Sequence, residues 1–466
     1  MTDDLQEFVA HALTDIEGKA VTAVINVPVP PAPLSVFLGA FERDMSVLWD
    51  TGSPADAFAT AGSTHRIDLS GANRFAQMSV EVSAVWRRTV VRSHPDCKDP
   101  APPRMFGGFA FAPGAADAAP WEAFGDGCLA LPRWSYARNQ GNSVLSVSAR
   151  GEACDLAHRQ RLLDELHTVL EAIESHRGVR TYQHLLTLPS IPPGDVRQLD
   201  YAAWCTHIDT IRAAIRAGEF AKIVAARRAD VALQKPIDDI EALSRLVTEQ
   251  ACTRFAFRRA STSFLGATPE TLFSKRGDML TTHALAGTIR SLGSDLPGLS
   301  ARTTELLSSD KDLREHRFVV HEICRSLAPL ALSVDTPRSP VVRRLRSILH
   351  LDTPIQALLR AGTDAADLVS ALHPTPAVGG VPREGSANWI AKHEAVPRGW
   401  YSGPVGWVDL RGDATFAVAL RCGLLTTGYA YAFAGAGIVA DSQTQAEYEE
   451  TELKQLPFLR AVGVVL

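Results

Sequence analysis

Near the C-terminal end of the chain, Glu447, Glu450 and Lys454 follow one another at steps of three and four residues. On a helix this spacing puts all three near one face. Two carboxylates there suit a hard cation, and a lysine one turn on suits an anionic substrate. A solvated, salt-bridged helix would carry the same pattern. Asp312 and Glu315 make a second acidic i, i+3 step that reads the same two ways. Lys222 sits near the start of the β-branched run FAKIVAARRADVAL. It is either an edge residue that snorkels or a functional amine. A desolvated lysine can lose part of its pKa, normally about 10.4, and serve as a base. Glu270 follows Thr268-Pro269 at a strand break, where a helix start capped by the threonine is the alternative. Arg421 stands among apolar neighbours, VALRC, and calls for a buried anion unless it faces outward on a half-exposed sheet.

These residues need elements to hold them. Tyr429 to Phe433 alternates like a strand and runs into Ala434-Gly435-Ala436-Gly437, small enough for close approach of a ligand to backbone. A helical segment with the two glutamates and the lysine follows. Upstream, FAFRRASTSFLGATPETLFSKRGDMLTTHALAGTIR reads as a meander, and a long helix is expected from about Thr303 to Leu327. Val341 to Arg360 holds His350, and another helix follows. LHPTPAVGGVPRE, with His373 and Ala377, is a shaped loop, because three prolines and two glycines exclude regular structure. RGWYSGPVGWVDLRGDATFAVALRC reads as a hairpin whose tip is Leu410 to Asp413 and whose second strand carries Arg421. The segment Asp200 to Arg216 is helical, and Gly218 ends it.

Residues 1 to 190 say less. Phe37 to Trp49 suits a strand or short helix, Phe75 to Val91 is helix-like, and MFGGFAFAPG is a strand with a glycine pair. FGDGCLALPRWSYAR reads as a hairpin, with Ser143 to Ala149 as its partner strand. Ala157 to Ile173 is an amphipathic helix. Pro189 to Pro193 is the candidate boundary between two lobes.

Composition narrows the classes. The 466 residues can hold a large core, and 46% hydrophobic with 21% charged residues describe an ordinary soluble globular chain. A net charge of −5 gives no basic footprint for nucleic acid. The seven cysteines are scattered, with no C-x-x-C, so neither a disulfide framework nor a zinc site is signalled. MTDDLQEF lacks the features of a signal peptide, and no run approaches a membrane span. A cytoplasmic setting is expected.

In this order, KIVAAR, GATPE, ALAGT, SSDKDLREH, LHPTPAVGG, WYSGPVGW, VALRC, AGAGIV and EYEETELK resemble the chorismate-utilising enzymes. That family contains the isochorismate and salicylate synthases and the large subunits of anthranilate and aminodeoxychorismate synthases. The matches cover residues 198 to 466, the catalytic region, with 1 to 190 as the N-terminal part of the fold. The resemblance implies an α/β fold of the α+β type: one large two-lobed domain, mostly antiparallel sheets in a sandwich flanked by helices. Relatives that add ammonia carry glutamine where this chain has Lys222, and aminodeoxychorismate synthases usually have lysine where Ala286 stands. Salicylate-forming relatives typically have phenylalanine at the place of His373 and threonine at that of Ala377. The resemblance therefore implies isochorismate synthase activity, an isomerase reaction, with salicylate synthase or a non-catalytic chorismate-binding subunit as alternatives.

The same resemblance assigns roles. Lys222 would be the base that activates water, and Glu270 the acid that protonates the departing hydroxyl. Glu315 and Glu450 would bind Mg2+ directly, and Asp312 and Glu447 through water. Asp312 stands where a glutamate is common in relatives. Tyr401 and Arg421 would hold the enolpyruvyl carboxylate. Gly287, Thr288, Gly435 and Lys454 would line the ring-carboxylate side. His350 and His373 face the site or are core histidines. Expected partners are chorismate alone, with no nucleic acid, membrane or glutaminase subunit, and the chain is expected to be a monomer.

Overall fold

The computed structural model describes residues 2–41, 45–53, 56–98, 100–138, 143–176, 196–198, 200–246, 252–290, 296–344 and 348–464. The proline-rich stretch Pro189 to Pro193 lies outside them. Two large, mostly antiparallel sheets stack on each other, one of thirteen strands and one of ten, with helices around them. Strands from both halves of the chain share both sheets. In the larger sheet Thr253–Arg259 pairs with Met45–Asp50, and in the smaller Pro404–Asp409 pairs with Arg104–Phe109. The two stretches of sequence are therefore interleaved in space.

Alternation decides which face each strand buries. Phe255, Phe264 and Trp49 from the larger sheet meet Phe106 and Trp407 from the smaller, with Trp121 and Trp400 between them. The Trp400 ring is fully buried and packs edge-on against Phe124 and Phe264. Truncating such a ring costs about 3–5 kcal/mol. The sandwich core is thus a layer of packed aromatic rings.

Three expectations about elements are corrected. FGDGCLALPRWSYAR is not a hairpin. Gly127–Leu131 joins the smaller sheet and Trp134–Arg138 the larger, because Pro132-Arg133 carries the chain from one layer to the other. Ser143–Arg150 does pair with Trp134–Arg138. The helix expected over Thr303 to Leu327 is two helices, Leu296–Ser308 and Asp310–Leu327. Ser309 breaks it by capping the second, its hydroxyl accepting from the Asp312 N–H. Arg421 lies outside the hairpin strand, which ends at Val418.

The meander has a further feature that composition does not reveal. Thr253–Arg259 and Thr262–Thr268 pair in the larger sheet, while Thr271–Arg276 and Met279–Arg290 pair in the smaller. Pro269-Glu270 is the crossover between layers. The Thr268 hydroxyl donates to the Val418 carbonyl, and the Val418 N–H donates to the Glu270 carbonyl, at 2.6 and 3.0 Å. Both bonds fix the crossover backbone against the neighbouring strand.

Candidate active site

Lys222 is the first residue of the strand Lys222–Ala232, which runs antiparallel to Tyr429–Ile438. Its ammonium donates to Glu315 Oε1 at 2.9 Å, and its side chain is 14% exposed. Gly437 makes room for it: a Cβ there would lie 2.6 Å from Lys222 Cε. Gly435 serves the same purpose one pleat on, where a Cβ would sit 3.1 Å from the Tyr401 hydroxyl. The small-residue segment thus clears space for two side chains, a lysine and a tyrosine.

Glu270 projects from the crossover. The residue is half-buried as a whole, and the protein encloses its carboxyl end. This desolvation pushes the carboxyl up to about 7. A hydrogen bond from the Thr375 hydroxyl at 3.2 Å and the charges of Lys222, Arg421 and Lys454 pull the other way. A buried carboxyl that keeps its proton near neutrality can act as an acid.

The helix Thr444–Ala461 brings Lys454 to the same place. Its ammonium donates to Glu450 Oε1 at 2.6 Å and to the Gly435 carbonyl at 2.8 Å. Burial lowers the Lys454 pKa, and Arg421 adds to that, while Glu450 opposes it. Burial alone would raise the Glu450 carboxyl, but the charge and hydrogen bond of Lys454, with Arg421, hold it below the ordinary range. Glu450 is therefore ionised at neutral pH, with its side chain 43% exposed.

Arg421 sits in the left-handed region at φ +50°, which costs an arginine about 1 kcal/mol or more and needs surrounding structure to impose it. It lines a cavity of about 50 Å3 with Tyr401, Gly435, Lys454, Ala377 and Arg398. Tyr401 stacks on Phe433 with 5.3 Å between ring centroids, and burial pushes its phenol well up, so it stays a hydrogen-bond donor. Ala377 also lines a second, smaller cavity on the Glu270 and Thr375 side. Two compartments therefore meet at Ala377.

His350 is near the site, influenced by Arg421, Lys454 and the Gly287 backbone, and burial pushes it down to about 4, so it is neutral. Gly287 is a bulge at φ +75°, close to the Asp312 side chain. Thr288 shares that strand, and its side chain lies outside the described residues. His373 belongs to the core. It bonds the Phe111 carbonyl at 2.9 Å, packs edge-on against Phe75 and Phe111, and is driven down to about 3 by burial. Asp312 is drawn into capping, since its carboxylate accepts from the Ser309 hydroxyl. The other carboxylate oxygen keeps its acceptor capacity.

Sequence reasoning missed Arg398, Glu394 and Thr375. Arg398 lines the larger cavity and pairs with Glu394. The one available signal was their i, i+4 spacing, which lies beyond the end of the helix Arg383–His393 and so does not read as a helical pair.

Among the described residues, no three His, Cys, Asp or Glu side chains converge closely enough to hold a metal ion as they stand. The donor chemistry nevertheless suits a hard divalent cation. Glu315 and Glu450 each pair with a lysine ammonium, at 2.9 and 2.6 Å, so a bound cation would take the place those ammoniums hold.

An enclosed acid, a lysine and a cationic cavity at the edge of a stacked antiparallel sandwich define an enzyme acting on a small anion. The comparisons agree. Residues 7–463 match the model of the chorismate binding enzyme family, and the chain belongs to that family. It is 35% identical over 445 residues to the salicylate biosynthesis isochorismate synthase of Pseudomonas aeruginosa, covering 94% of this chain and 89% of the relative. It is 32% identical over 368 residues to an isochorismate synthase of Bacillus subtilis, covering 78% and 75% of the two chains. The structure of the menaquinone-specific isochorismate synthase from Escherichia coli superposes with a TM-score of 0.77 at 25% identity, covering 98% of this chain and all of that one.

Proposed function

We infer that the chain is an isochorismate synthase, an isomerase converting chorismate to isochorismate. The observation that carries this reading is the enclosed Glu270 carboxyl, raised to about 7 within electrostatic reach of Lys222, Arg421 and Lys454. Water is a poor nucleophile and hydroxide a poor leaving group, so the exchange needs a base and an acid. Lys222 takes a proton from water as its oxygen bonds to carbon 2. The ring double bond shifts, the carbon 4–oxygen bond breaks, and Glu270 gives its proton to the departing hydroxyl. One water enters and one leaves, so the atoms balance, and the reverse reaction exchanges the two roles. Tyr401 and Arg421 hold the enolpyruvyl carboxylate, while Lys454 and the backbone at Gly435 face the ring carboxylate. To act as a base, Lys222 has to part from Glu315 and give up one ammonium proton to solvent before water adds.

Glu315 and Glu450 would hold Mg2+, which when bound supplies a Lewis acid at the ring carboxylate. Replacing Glu450 with glutamine removes one anionic donor and should weaken magnesium binding at least tenfold by calorimetric titration. An unchanged affinity would sink the assignment. The reaction draws on water rather than ammonia, so no glutaminase partner is called for. We take the chain to act as a monomer in the cytoplasm; among the described residues no helix is long and apolar enough to cross a membrane.

The test is a product assay with chorismate and magnesium, without ammonia. Isochorismate in equilibrium with chorismate is expected. Salicylate with pyruvate would place the chain in the eliminating branch, and no turnover would leave binding alone.

The pH profile provides a second check. Glu270 must be protonated, so with Lys222 already neutral kcat should fall as pH rises through about 7. The Thr375 hydrogen bond favours the carboxylate. Thr375→Val removes it, raises the Glu270 pKa, and should move that fall upward by about one pH unit. A downward shift, or none, would show that the bond does not act on the charged form.

A further inference from the structure

Arg398 lines the substrate cavity, yet it has nothing to give a substrate. A guanidinium has five N–H donors, and each has a protein partner here. Nε donates to Glu394 Oε2 at 2.8 Å, and Nη2 to Glu394 Oε1 at 2.6 Å. Nη2 also donates to the Val224 carbonyl at 2.9 Å, and Nη1 to the Val378 carbonyl at 2.7 Å and the Ser402 hydroxyl at 3.2 Å. The guanidinium lies 4.2 Å from the Phe111 ring centroid. The Arg398 side chain is 2% exposed and that of Glu394 6%.

These bonds join two walls of the site. On one side is the strand that begins at Lys222. Its edge pairs with Gly380–Val381 at Lys222 and Ile223, and with Val196–Gln198 from Ala229 to Val231. Between those partners the edge needs other acceptors and donors. Glu394 accepts from the Ala226 N–H at 3.0 Å, and Arg398 donates to the Val224 carbonyl, so one side-chain pair takes the place of a strand there. On the other side is the turn carrying Tyr401. Ser402 is left-handed at φ +57°, its hydroxyl accepts from Arg398, and its N–H donates to the Ala419 carbonyl at 2.8 Å, two residues before Arg421.

We propose that Arg398, held by Glu394, is a positioning residue that sets the distance between the Lys222 strand and the Tyr401–Arg421 wall, and so fixes the bound substrate relative to its base. The proposal rests on the reading of Lys222 as base and of Tyr401 and Arg421 as carboxylate holders. A buried ion pair need not add stability, and its attested use is to fix geometry. Misplacement of about 1 Å can cost roughly a hundredfold in rate.

The test uses two variants of the full chain, after the parent protein has been shown to make isochorismate. Arg398→Lys keeps the charge but has three donors for five acceptors. Its KM for chorismate should rise about tenfold and its kcat fall about tenfold, with magnesium affinity as in the parent. Ser402→Ala removes only the tie to the Tyr401 turn. Its KM should rise about threefold while kcat stays within about twofold, a split that general destabilisation would not give. Unchanged KM and kcat in both variants would overturn the proposal and leave the assigned activity standing. If Arg398→Lys does not fold, Ser402→Ala decides alone, and an unchanged KM there overturns it. Absence of isochorismate from the parent would instead remove the reading on which the proposal rests.

Discussion

Lys222→Ala should lower kcat by about 10²- to 10⁴-fold, the usual contribution of a positioned general base. The lysine is the first residue of its strand, with space made for it by Gly437, and its ammonium pairs with Glu315. Removing it should leave the sandwich intact. Chorismate should still bind, because Tyr401, Arg421 and Lys454 are untouched. Magnesium should bind no more weakly, because Glu315 loses a competing ammonium. Steady-state kinetics with calorimetric titration of both ligands separates these effects. Retained turnover would remove Lys222 as the base.

Glu270→Gln should have an effect of the same order. Glutamine matches the shape of the carboxyl and can still accept from Thr375, but it has no acidic proton for the departing hydroxyl. We expect kcat to fall by about 10²- to 10⁴-fold with KM within a few-fold of the parent, and the fall in rate near pH 7 to disappear. Loss of binding with an unaffected kcat would mean that Glu270 holds substrate rather than giving a proton.

By residue type alone the site residues each carried two readings, and their roles came from the family resemblance. Lys222 stood at a strand start, Glu270 at a strand break, Arg421 among apolar neighbours and Lys454 on a helix face, and the structure brings the three cations within electrostatic reach of Glu270. The strand order was less legible. Gly127–Leu131 and Trp134–Arg138 look like a hairpin because both alternate, yet alternation does not say which sheet a strand joins. Glu270 lies where the chain leaves one sheet for the other, and a Thr-Pro-Glu signal is equally a helix start. His373 was open between two readings because a histidine in a turn-rich loop carries no mark of its depth. Its bond to the Phe111 carbonyl, 262 positions away, is a tertiary fact. Arg398 was invisible for the same reason, since two of its four partner residues, Val378 and Val224, lie 20 and 174 positions away. The Ser309 break followed from capping chemistry that a continuous helical pattern concealed.

In the mechanism proposed above, the site adds one water at carbon 2 and releases the carbon 4 hydroxyl as another. The most direct measurement is turnover of chorismate with magnesium in ¹⁸O-labelled water, with mass analysis of both ring compounds. The account predicts isochorismate carrying one labelled oxygen at carbon 2, label entering chorismate at carbon 4 through the reverse reaction, and no pyruvate. Unlabelled isochorismate would mean that the hydroxyl migrates within the substrate, and neither Lys222 nor Glu270 could then have the role assigned to it.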